Sequence, residues 1–217
     1  MAANMAMKRA KKAQRRKLVV AQKRQAGAFE SSIAGQAISA AKMPIQHCLL
    51  TGSLTGCGMA TLVLTRGSTP DHVTMAVFLL DSFGLGIKDV LFESVTGEQL
   101  AFYLNRAKEA GPVEALEPGQ ARKLLHDLVA WSRSLGFSPH RDYAAVERMF
   151  GDVVADAEGV PFQFGLEGKP MLVSGPSDAP EILRRLGNQL EMTSSKEGAF
   201  EIVDADDPPS EGSARAA

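Results

Sequence analysis

The stretch Val73-Thr74-Met75-Ala76-Val77-Phe78-Leu79-Leu80 decides the fold. It is apolar but for one threonine, and near its end it is apolar on both alternating faces. That is the pattern of a strand buried in the middle of a sheet rather than at its edge. Turn residues bound it on both sides, Arg66-Gly67-Ser68-Thr69-Pro70-Asp71 before it and Asp81-Ser82-Phe83-Gly84-Leu85-Gly86 after it. Outward from there, His47–Leu50, Met59–Thr65 and Ile87–Val95 read as further strands, with the glycine-rich Gly52–Gly58 between the first two. The connections are turns rather than helices, so the pattern predicts an antiparallel meander over about residues 45–95.

Helical signals follow the strands. Thr96-Gly97-Glu98-Gln99 has the form of a capping box, with Thr96 as N-cap and Gln99 at N3. Leu100, Tyr103, Leu104 and Ala107 then share a face, and Gly111-Pro112 stops the helix. A second helix is expected from about Gly119 to Leu135, burying Ala121, Leu124, Leu125, Leu128 and Leu135. A short third runs from Asp142 to Phe150 and closes at Gly151. Phe162–Phe164 and Met171–Val173 flank Glu167-Gly168-Lys169 as a hairpin would. Pro180-Glu181 opens a last helix with Ile182, Leu183, Leu186 and Leu190 on its core face. Ile33–Ala41, rich in Ala, Gly and Ser, reads as a linker or a short helix.

The expectation is an α+β fold, an antiparallel sheet packed against three to four helices. A single domain over 29–203 is carried between a disordered basic arm, 1–28, and a disordered acidic tail, 204–217. The hydrophobic fraction of 45% is ordinary for a globular chain. The longest apolar run is far short of the roughly 20 residues of a spanning helix. The pair Arg15-Arg16 lacks the uninterrupted apolar stretch that a twin-arginine signal needs, because Gln22, Lys23 and Arg24 intervene. A cytoplasmic protein without a membrane partner is the resulting expectation.

Charge is distributed unevenly. Lys8, Arg9, Lys11, Lys12, Arg15, Arg16, Lys17, Lys23 and Arg24 stand in the first 24 residues with no acid among them. The remainder carries 15 basic against 25 acidic residues. A basic arm on an acidic body points to an anionic partner, nucleic acid or a ribonucleoprotein, or to the body itself. The arm has no interleaved aromatics, so its contacts with nucleic acid would be to phosphates.

Two segments carry candidate chemistry. In Asp81–Asp89 an acid ends a strand, glycines permit close backbone approach, and a Lys88-Asp89 pair re-enters a strand. By alternation Lys88 shares a face with Val90 and Phe92 and calls for an acidic partner, Asp81 being nearest in sequence. The alternative reading is a tight connection in which Asp81 caps a turn. In Gly136–Tyr143, His140 and Asp142 stand two apart between helices. They suit acid–base work or metal ligation, while Asp142 is also a natural N-cap. His126 falls on a polar helix face, His47 beside Cys48 has no second ligand pair, and His72 sits in a turn. The two cysteines, Cys48 and Cys57, make no disulfide framework and no zinc spacing. No nucleophile elbow, dinucleotide fingerprint or kinase motif occurs, and no motif names a cofactor or a metal.

These segments resemble an uncharacterised bacterial family whose members share a strand ending LVDxxCLGVKD and a later GFxPHxDYxxAxxIFGD. The matching residues here are 79–89 and 136–152, and Phe162–Pro176 is similar to that family's FxFGxxGKPxxxSGP. Gly84 stands where the resemblance implies a cysteine, so thiol chemistry at that position is closed to this chain. The resemblance implies no activity. Two functions follow from the residues. One is a binding module whose arm engages nucleic acid or another polyanion. The other is a hydrolytic or metal-assisted enzyme with Asp81, Lys88, Asp89, His140 and Asp142 in one cleft.

Overall fold

In the computed structural model, residues 27–174 are described apart from Pro70, Ala157 and Val160. Lys17, Gln25, Arg184, Leu186–Asn188 and Ile202–Asp204 are described with them. The arm, apart from Lys17, Gln25, Gly27 and Ala28, and the tail beyond Asp204 lie outside the described residues, as does most of the helix expected after Pro180.

Five strands form one antiparallel sheet in the order β4-β3-β2-β1-β5. They are β1 (Ile45–Ser53), β2 (Met59–Thr69), β3 (His72–Asp81), β4 (Gly86–Val95) and β5 (Val113–Ala115). The meander of the first four is the one the turn signals imply. β2 runs four residues further than Thr65, into the expected turn cluster. β5 carries no strand signal in sequence. It is three residues long, pairs Leu49–Thr51 with Val113–Ala115, and continues into a bond from Leu116 N–H to the Cys48 carbonyl at 2.9 Å.

From Val73 to Leu80, β3 is apolar but for Thr74 because both of its faces are covered. Ala76, Phe78 and Leu80 pack with Leu62 and Leu64 of β2, and Val73 and Met75 face the other way with Val63. The first face takes α1 (Ile33–Ala40), α3 (Pro118–Ser134), α4 (Tyr143–Val146) and the 3-10 turn Glu147–Phe150. Ala121, Leu124, Leu125 and Leu128 of α3 are fully buried there, and Tyr143 meets Phe78 edge to face at 6.3 Å. The second face takes α2 (Gly97–Ala110) through Leu100. Its capping box is formed in both directions, Gln99 N–H to Thr96 Oγ1 at 3.3 Å and Thr96 N–H to Gln99 Oε1 at 2.9 Å.

Of the two readings of Ile33–Ala41, the short helix is the one formed, over Ile33–Ala40 with Ser32 as its N-cap. Two expectations differ from the structure. The helix expected over 142–150 changes to 3-10 form after Val146. Phe162–Phe164 and Met171–Val173 do not pair as a hairpin. Only Leu166 and Lys169 bridge, and β6 (Leu172–Ser174) pairs in parallel with β7 (Ile202–Asp204). A distant strand takes the edge that a local partner was expected to fill.

Candidate functional site

The β3–β4 connection is the point on which separate parts of the chain converge. Ser82 is fully buried, and its hydroxyl donates to the carbonyls of Leu54 and Gly58 in the β1–β2 loop. Ser82 N–H also reaches Gly58 O at 2.8 Å. Gly58 is held close for a steric reason: its φ is +70°, and a Cβ there would stand 2.3 Å from the Phe83 ring. On the other side Gly165 N–H donates to Ser82 O at 2.8 Å, and Met171 N–H to Phe83 O at 2.9 Å. His140 N–H donates to Ile87 O at 2.9 Å. The three segments that carry the family resemblance, 79–89, 136–152 and 162–176, are therefore joined here backbone to backbone.

Asp81 ends β3 and is 1% exposed. Its Oδ1 accepts from the N–H groups of Phe83 and Gly84, both at 3.0 Å, which is the geometry of a turn cap. Its Oδ2 is buried with no hydrogen-bond partner among the described residues. Burial pushes its pKa up, opposed by the nearby Lys88 charge and by the loop N–H groups.

Lys88 is half-buried like Val90 and Phe92, the side of β4 that alternation gives it, but the ladder is irregular there. Leu79 pairs with Asp89 and Leu80 with Ile87, so Lys88 is the extra residue of a β-bulge. Ile87 takes the core-facing place opposite Leu80, and Lys88 is left half-buried within the field of Asp81.

The other half of the expected cluster meets at the outer edge of β4. His140 Nε2 lies 3.7 Å from Asp89 Oδ1, and its Nδ1 lies 3.9 Å from Asp142 Oδ2. Asp142 N–H donates to Nδ1 at 3.3 Å, so the proton of the neutral ring is on Nε2, toward Asp89. Each ring nitrogen faces a different carboxylate, an arrangement that orients an imidazole rather than gathering three ligands about one point. Among the described residues no group of three His, Cys, Asp or Glu side chains is placed to hold a metal ion. Asp142 precedes α4 without a side-chain cap bond. The five candidates thus fall into two groups: Asp89, His140 and Asp142 together on the surface, and Asp81 with Lys88 under the loop. No hydrogen bond or ion pair joins the two groups among the described residues.

Of the remaining singled-out residues, His126 is half exposed, with Nε2 3.0 Å from Glu147 Oε1. Cys48 is a buried free thiol whose pKa is pushed up to about 12 by burial, with Glu117 adding to the effect. Cys57 is exposed. His47 is half-buried and His72 exposed.

Two features went unread in the sequence. Ser82 fastens both neighbouring loops, yet a serine beside an aspartate in a turn looks like ordinary turn chemistry. A surface cleft of about 610 Å³ opens between Thr55 and the run Gln163–Gly168, its two sides held by those same Ser82 bonds. Its one signal in sequence is the Glu167-Gly168 step, which reads as a turn.

Comparison of the chain with protein-family models, with curated proteins and with solved structures finds no match.

Proposed function

We propose that this chain is a polyanion-binding module whose basic N-terminal arm engages nucleic acid. The observation that carries this reading is the charge arrangement, nine cations and no acid in residues 1–24 ahead of an acidic remainder. Phosphate neutralisation with counterion release is the energy source that such an arm offers, and it is steeply salt-dependent. The acidic body keeps nucleic acid from spreading over the rest of the surface.

The test compares the full chain with one lacking residues 1–24 for bound nucleic acid as salt is raised. If all nine cations act, log K falls with log salt at a slope approaching about −8 on duplex DNA. The truncated chain loses the binding and the slope together. Full-length protein that carries no nucleic acid at low salt removes this reading.

A hydrolytic enzyme is the second reading, favoured by the meeting of Asp89, His140 and Asp142 at one edge. In that role His140 is the acid or base, and Asp89 and Asp142 orient it.

A further inference from the structure

The tight turn beside the cleft holds a residue that resists its conformation. Leu166 and Lys169 bridge with hydrogen bonds in both directions, at 2.8 and 3.0 Å, around Glu167 (φ +53°) and Gly168 (φ +82°). A two-residue turn with both central residues left-handed favours Asn, Asp or Gly at its first position. Glu167 is the only non-glycine residue with positive φ among the described residues. A side chain kept at a costly backbone position points to a use for that side chain.

The use is visible in the surroundings. Glu167 carries the only formal charge on the cleft lining, and its carboxylate has no hydrogen bond or ion pair among the described residues. Thr55, Gln163 and Phe164 also line it. The Phe164 ring is stacked with Trp131 (6.3 Å, 29° between the planes) and with Phe162 (6.5 Å, 22°). The volume falls within the range of small-molecule sites. A carboxylate on a lining that also holds an aromatic residue selects a flat cation with several N–H donors.

We propose that the cleft binds a small planar organic cation of the amidinium or guanidinium class, paired with the Glu167 carboxylate and flanked by Phe164. This site is independent of the basic arm and stands whether or not the arm binds nucleic acid.

Three probes of one shape separate charge from fit: benzamidine, neutral benzamide and anionic benzoate, each titrated into the full chain and followed by 1H–15N spectra. The reporters are the Gly165 and Gly168 amides and the indole N–H of Trp131, the only tryptophan. Benzamidine is expected to shift all three saturably, benzamide about ten-fold more weakly, and benzoate not at all. Glu167→Gln loses about the same factor for benzamidine. Glu167→Asn loses it too while melting no lower than wild type, because asparagine suits the turn better. Unmoved reporters, benzamide binding as well as benzamidine, or wild-type binding by Glu167→Gln would each overturn the site.

Discussion

At Asp81 the carboxylate has one oxygen satisfied by its own loop and the other buried without a partner among the described residues. Burial favours the protonated form in the folded chain, so the pKa is raised on folding. The stability this contributes is present below the ordinary carboxylate value and is lost as pH rises through the folded value. The urea midpoint of wild type should therefore gain on that of Asp81→Asn as pH falls through the raised folded pKa, and the gain should level off below the ordinary carboxylate value of about 4. A difference that stays constant from pH 7 downward would mean that the carboxylate is satisfied after all. The turn-cap role of Asp81 was legible from an acid placed three residues before a glycine. Its unpartnered oxygen was not, because burial at a loop depends on which distant segments cover it.

Local rules fixed most of the elements. The capping box of α2 was read from four residues, and Thr96→Ala should cost about 1 kcal/mol in chemical denaturation. A loss below a few tenths would show that α2 is held by Leu100 alone. Alternation places Lys88 with Val90 and Phe92, but a bulge also puts Ile87 opposite Leu80 in the core, and nothing in Gly86-Ile87-Lys88-Asp89 signals the extra residue. Gly86 gives a partial reason. Its φ is +77°, and a Cβ there would lie 2.5 Å from Ser132 Oγ of α3, so the turn is pressed against a helix that arrives much later in the chain. β5 was missed for a similar reason, since a three-residue strand is specified by the free edge of β1 and not by its own composition.

Across the molecule, one buried cation ties the layers together. Arg66, 7% exposed at the end of β2, donates Nη1 to the carbonyls of Ala41 (3.0 Å) and Met43 (2.6 Å), and Nη2 to Phe150 O (2.8 Å). Helix α1, the sheet and the 3-10 turn meet on that guanidinium. Its removal strands the carbonyls of Ala41 and Met43 and leaves Phe150 O with the Val153 N–H at 3.2 Å, so Arg66→Ala should lower unfolding stability by about 3 kcal/mol. Equilibrium denaturation checks this, and a loss under about 1 kcal/mol would mean that water replaces the side chain. Arg66 follows Leu62 and Leu64 at the alternation of the core face, yet its basic character placed it in a turn. The sheet order of β1–β4 and the buried face of α3 are legible because each rests on neighbours in sequence, whereas Tyr103, expected on the face of α2 with Leu100, is 40% exposed. The candidate site was legible in part. Asp89, His140 and Asp142 do meet, but their separation from Asp81 is set by the bulge and by long-range packing.

The joints at the β3–β4 connection have a consequence for descent. Gly165 to Ser82, Met171 to Phe83 and His140 to Ile87 are all main chain to main chain. Any residue but proline can donate at 140, 165 or 171, and any residue at all can accept at 82, 83 or 87. These three joints place no demand on the imidazole of residue 140, whose one structural bond is the Asp142 N–H that its Nδ1 accepts at 3.3 Å. In a lineage drifting under structural constraint alone, any side chain able to accept that N–H could replace the ring. Its persistence through descendants would record selection on what the ring does, separate from selection on the fold.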